Sequence, residues 1–242
     1  FFSHLGEGIA DFERARKDFE RVKGMSPGTY ISADYAMAEA MCNGVPPGNI
    51  TYILFSTGSA PSRDQVRLDI PLFMLTDEVS YVGASFPKLV YHDNVLSQIS
   101  ATVSGQSFVS EELCSMDAVI SRDFKNEWPV VMTKTLLTAA AKAATGRVAE
   151  DALEDNVMGK WAARAIAAGY QAATNIADLR TWTTLPKKFA YIRAPTPADG
   201  VVSLSAGGES RQVDVVPGKT NVILVRSVTA ASRPMIETFT LN

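Results

Sequence analysis

Glu111 with Glu112, and Glu150 with Asp151, are the carboxylate pairs whose spacing invites a test for chemistry. Glycoside cleavage uses two carboxyl groups across the scissile bond, and distant segments can supply them together. Both pairs fall where helices are expected to begin. A negative charge there offsets the positive end of the helix dipole, so their first role is structural. Serine hydrolysis needs an activated hydroxyl, a base and a group that orients the base. Gly-x-Ser-x-Gly is absent, and with only His4 and His92 in the chain, His92 beside Asp93 would have to be the base. Ser85 and Lys88 have Ser-x-x-Lys spacing, but Pro87 between them disfavours the helix that would join the two groups. Gly218, Lys219 and Thr220 match only the end of a phosphate loop and fall between expected strands. No HExxH spacing occurs, and Cys42 and Cys114 fit no zinc pattern. No catalytic residue, metal ligand or cofactor is therefore expected.

Contact chemistry is better represented. Asp178, Arg180 and Trp182 form a polar and aromatic cluster at a helix-to-strand junction, with Lys187 and Lys188 beyond. Trp and Arg are the side chains most enriched at binding hot spots. A structural alternative has Trp182 and Leu185 plugging helices onto a sheet while Arg180 pairs with a carboxylate. Arg63 and Arg67 form a second patch on the wet face of a strand. Arg63, Arg67, Arg180 and Trp182 are thus the candidate partner-binding residues.

The elements that must position them come in successive textures. Phe12, Ala15, Phe19 and Val22 recur at helical spacing, and a second helix is expected over about 33–42, closed by Asn43 and Gly44. Residues 50–57 read as a strand, and Val66, Leu68 and Ile70 alternate with Arg67 and Asp69. Further strands are expected over about 80–86 and 96–104. From about Glu111 the period turns helical. Trp128 and Pro129 mark a helix start, with Leu136, Leu137, Ala140 and Ala144 as its apolar stripe, and a second helix spans about 150–174. The tail from Phe189 returns to period two, with turns at Gly207-Gly208 and Pro217-Gly218. The expected fold is α+β: a helical repeat-like segment over 1–46, then a β-rich domain over 47–242. That domain is β-sandwich-like, with a helical hairpin inserted at about 111–178. Each half of the sheet region alone offers few inward apolar residues, so the strands flanking the insertion should share one core.

The 242 residues are 46% hydrophobic, enough for one large core or two modest ones. Net charge is −3, and Arg14, Arg16 and Lys17 are interleaved with acids rather than forming a basic stripe. Nucleic acid is disfavoured as a partner. The longest apolar run, Val157 to Ala177, is interrupted by Lys160 and Arg164 and falls short of a membrane span. Phe1 enters mid-pattern, which suggests an upstream piece.

The segment Ala10 to Pro27 resembles the second helix of a tetratricopeptide repeat, with Phe12, Ala15, Phe19, Val22 and Pro27 at its packing positions. Together with Tyr52 to Arg63, Val66 to Leu72 and Ala177 to Pro186, it resembles an uncharacterised family of bacterial envelope lipoproteins with tetratricopeptide-like N-terminal helices. The resemblance implies export to the periplasm or outer membrane, a lipid anchor upstream of Phe1 and a protein partner in the envelope. It implies no catalytic residue. The expected function is a non-catalytic cell-envelope lipoprotein acting as an interaction or assembly module. The alternative is a hydrolase acting on an envelope polymer through paired carboxylates. A third reading is a small-ligand carrier with an apolar pocket between helices and sheet.

Overall fold

A computed structural model describes residues 9–70, 82–151 and 178–241. In chain order these residues form α1 (Ile9–Met25), α2 (Thr29–Cys42), β1 (Ile50–Thr57), β2 (Ser62–Ile70), β3 (Val82–Val90), β4 (Ile99–Val103), β5 (Gln106–Val109) and β6 (Glu111–Ser115). There follow α3 (Met116–Asp151), β7 (Lys188–Pro195), β8 (Val201–Ala206), β9 (Glu209–Asp214), β10 (Thr220–Ser227) and β11 (Met235–Leu241). The fold is mixed α+β. The chain divides into two units: residues 1–60, 92–117 and 184–242, and residues 61–91 and 118–183. The boundary expected after residue 46 falls inside the first unit.

The first unit carries a five-stranded sheet, β11-β10-β1-β7-β6, and a four-stranded sheet, β5-β4-β8-β9. β1 lies parallel to β10 and antiparallel to β7. Its run Tyr52 to Phe55 is apolar throughout because both faces are covered. Ile53 and Phe55 enter one cluster with Ile99, Ala101, Ile192 and Ile223, and residues of β8 and β9 complete it. Strands from before and after α3 therefore share one interior. On the other face Tyr52 and Ile50 pack with Tyr191 and Val222 against Phe19, Ile31 and Ala38 of α1 and α2. The alternation in the tail holds: Val202, Leu204 and Ala206 are buried, and Gly207 and Gly208, both at positive φ, make the two-residue hairpin turn.

In the second unit β2 and β3 form a hairpin with Val66 opposite Phe86 and Leu68 opposite Ala84. α3 departs from expectation at both of its landmarks. It begins at Met116, because Glu111 to Ser115 are drawn into β6 and pair with β7. Cys114 is accordingly a strand residue, and it and Cys42 are half-buried free thiols. Nor does Pro129 start a helix; it lies inside α3. Phe124, Trp128, Met132 and Leu136 recur every four residues, so one stripe continues through the proline. Packing along that stripe outweighs the missing N–H, a loss of about 3 kcal/mol in an isolated helix. Glu150 and Asp151 sit in α3 rather than at a new start. The rest of the expected second helix, 152–174, lies outside the described residues.

A candidate binding groove

The groove is built entirely within the second unit. Cross-strand pairing aligns three rungs on one face of the hairpin: Asp64 with Lys88, Val66 with Phe86, and Leu68 with Ala84. α3 supplies the opposing wall through Trp128, Met132, Leu136 and Ala139. Phe86 meets Trp128 with ring centroids 6.2 Å apart, and Trp128 in turn meets Phe124 at 5.4 Å. Tyr91 and Ser121 join their hydroxyls at 2.7 Å, which fixes the end of β3 to the first turns of α3. These contacts hold the walls apart over a cavity of about 690 Å³. Its floor, around Ala84, Phe86 and Ala139, is buried, while Leu68 and Leu136 are each 52% exposed. Lys88 is the charged side chain in the lining. Its ammonium lies 3.1 Å from Asp64 Oδ2, and both groups are half-exposed.

The expected contact residues are all in this unit, and the structure brings part of the set together. Arg63 is half-buried; its guanidinium bonds Glu127 at 3.0 Å and stacks 5.8 Å from the Phe124 ring. Its backbone N–H donates to Thr181 Oγ1 at 3.0 Å, which brings β2 to the segment holding Asp178 and Arg180. Arg180 clamps Asp178 with bonds of 2.7 and 2.9 Å, and those bonds hold the Asp178 carboxyl at about 2. Arg67 is exposed on β2, and Trp182 is 71% exposed rather than plugging a core. The expected stripe on α3 is also shifted. Leu136 lines the groove, whereas Leu137 is 66% exposed.

No protein-family model, curated protein or solved structure matches this chain.

Two polar clusters in the first unit escaped the sequence. Asp34, 1% exposed, accepts bonds from Tyr52 at 2.8 Å, Tyr191 at 3.2 Å and Arg193 Nε at 2.6 Å. Burial pushes its carboxyl up, and Arg193 with the two tyrosines offsets part of that rise. Burial, then the neighbouring Asp34 charge, pushes both tyrosines up as well. One signal was available: Ile31, Asp34, Ala38 and Met41 are spaced as one helical face, and an acid on an apolar face needs partners. In the second cluster buried Lys187 reaches Asp93 at 2.9 Å and Asp117 at 2.5 Å. Burial opposes its charge, but the two carboxylates outweigh that and raise its pKa. Asp93, considered as the orienter of a catalytic His92, thus serves as a lysine partner.

The carboxylate pair Glu111 and Glu112 is also engaged. Glu111 Oε2 accepts the Tyr30 N–H at 3.1 Å, capping the first turn of α2, and Glu112 pairs with Lys188 at 2.8 Å. The acid at a helix start is real, but the helix is α2, 81 residues earlier in the chain. Among the described residues no group of three or more His, Cys, Asp or Glu side chains is placed to hold a metal ion. Among them also, no helix is long and apolar enough to cross a membrane.

Proposed function

We propose that this chain is a non-catalytic binding module of the bacterial cell envelope, and that the groove between the β2–β3 hairpin and α3 is its working surface. One observation carries the reading: an open cavity of about 690 Å³ walled almost wholly by apolar side chains. That volume falls in the range of ligand pockets. Leaving such surface in water costs about 25 cal/mol per Å², so an apolar occupant gains by covering it. Arg63, Arg180 and Trp182 flank the same unit as candidate contacts for a protein partner. The envelope setting rests on the resemblance of residues 10–27, 52–63, 66–72 and 177–186 to envelope lipoproteins. We extend the same reading to the architecture: the two sheets of the first unit as a β-sandwich-like scaffold, and α1 as a tetratricopeptide-like helix.

Titration with the neutral dye Nile red tests the groove, with the change in tryptophan emission that Trp128→Phe removes as the second readout. Saturable binding that falls at least tenfold in Leu136→Asp supports it. Equal binding by the two proteins, or none by the wild type, overturns it. Leu136 is 52% exposed, and a far-ultraviolet spectrum and melting midpoint equal to the wild type's confine the loss to the groove. Fractionation of cells expressing the complete gene tests the setting; recovery in the cytosol alone overturns that part.

A further inference from the structure

We propose that the groove takes a single-chain carboxylate amphiphile, of fatty-acid type, with its head at Lys88 and its tail along the wall of α3; this rests on the groove being the working surface. The lining is graded, not uniform. Lys88, paired with Asp64, stands at one end of the hairpin residues that line the groove, and the apolar rungs of Val66 with Phe86 and Leu68 with Ala84 follow it. Across from them the α3 wall from Trp128 to Ala139 runs about 16 Å at 1.5 Å per residue. An open apolar groove with one charged end matches a chain with one charged end.

The sign of that charge follows from what lines the cavity. Lys88 does, while Asp64 does not. Asp64 has a second support, the Gln65 N–H at 2.8 Å, so an incoming carboxylate can take Lys88 without stranding it. The exchange trades one half-exposed ion pair for another, which is nearly free in water. The tail then supplies affinity, about fourfold for each buried methylene, and the head supplies choice.

Calorimetric titration with dodecanoate, dodecanol and dodecyltrimethylammonium, each below its micellar concentration, tests this on the wild type, Lys88→Gln and Leu136→Asp. Dodecanoate should bind about threefold tighter than the alcohol or the cation, the margin that a half-exposed charge pair gives. Decanoate should bind about fifteenfold more weakly than dodecanoate, two methylenes shorter. Lys88→Gln should erase the preference for carboxylate and leave dodecanol binding unchanged. Equal binding of the three heads, or a preference that survives Lys88→Gln, overturns the proposal. The groove reading still stands in that case if Leu136→Asp weakens all three. Failure of every chain and of Nile red sinks both. Binding to phosphatidylglycerol vesicles without binding to monomeric dodecanoate also overturns the proposal and points to a lipid surface.

Discussion

Asp34 concentrates the electrostatic risk of the first unit in one side chain. Its carboxylate ties α2 to β1 through Tyr52 and to β7 through Tyr191 and Arg193. Asp34→Asn keeps the size but leaves the Arg193 guanidinium, 19% exposed, without its charge partner. It also turns one of the two oxygens that accept from Tyr52, Tyr191 and Arg193 into an amide donor, and this buried mismatch should cost about 1–3 kcal/mol in urea unfolding at neutral pH. The folded carboxyl titrates above its unfolded value, so between those two values the folded state binds a proton that the unfolded state has released. Stability from this group is therefore greatest below about pH 4 and falls as pH rises through the folded value. The gap between wild type and Asp34→Asn should widen as pH is lowered through that window, and a gap independent of pH would refute the assignment. Lys187 runs in the alkaline range. Its folded pKa is raised, so its contribution is complete below about pH 10 and is lost as pH climbs through the folded value. Lys187→Gln should flatten that alkaline loss in thermal melts. The helical face announced that Asp34 needs partners, but the partners themselves could not be read locally, because Asp34 meets Arg193 across 159 positions and Lys187 meets Asp93 across 94.

At the scale of elements, what the sequence discloses depends on how far each periodic signal reaches. β1 matches its expected span, and β8 alternates cleanly because one of its faces lies on the shared core. β6 was hidden: five residues, with a register shift between Glu112 and Cys114, give too little alternation to compete with the helical pattern that follows. The walls of the groove were visible singly, as the alternation of Val66 and Leu68 and the helical position of Leu136. Their meeting is tertiary and leaves no local trace. Pro129 misled because proline is more at home in a first helical turn than in an interior. Its interior position has a measurable consequence. Pro129→Ala restores a backbone donor and should raise the protection of α3 amides in hydrogen exchange by the equivalent of about 1–3 kcal/mol. Unchanged protection would mean that the groove contacts, and not the helix ladder, set the stability of α3. The cap on α2 offers the converse case. Glu111→Ala removes a charged acceptor from the Tyr30 N–H and should cost about 1 kcal/mol, read as a lower urea midpoint.

The whole molecule is defined by how the chain threads its two units. It leaves the first unit after Ala60 and returns at His92, then leaves after Asp117 and returns at Thr184. Each departure and return is sealed within the first unit. Val95 packs on Gly58 where no Cβ would fit, the Met116 N–H donates to the Lys187 carbonyl at 2.8 Å, and Ser115 pairs with Lys188. The second unit is therefore a double excursion from a frame whose core closes without it, since among the described residues the large shared cluster takes its buried members from β1, β4, β7 to β10 and Val215, with Tyr30, Leu96, Phe108 and Ile236 of the same unit packed against them. Replacing residues 61–91 and 118–183 by short Gly-Ser links should leave that frame folded. All three tryptophans fall in the excised unit, so indole emission should vanish while the near-ultraviolet signal of the tyrosines around Asp34 persists and melts cooperatively. Truncation after residue 183 makes the opposite prediction. It strips β1 of both neighbours, β7 and β10, and with them most of the interior that Ile53 and Phe55 occupy. That chain should show no cooperative transition of the tyrosine signal. A cooperative transition in the truncated chain, or its loss in the excised one, would place the organising core in the second unit instead.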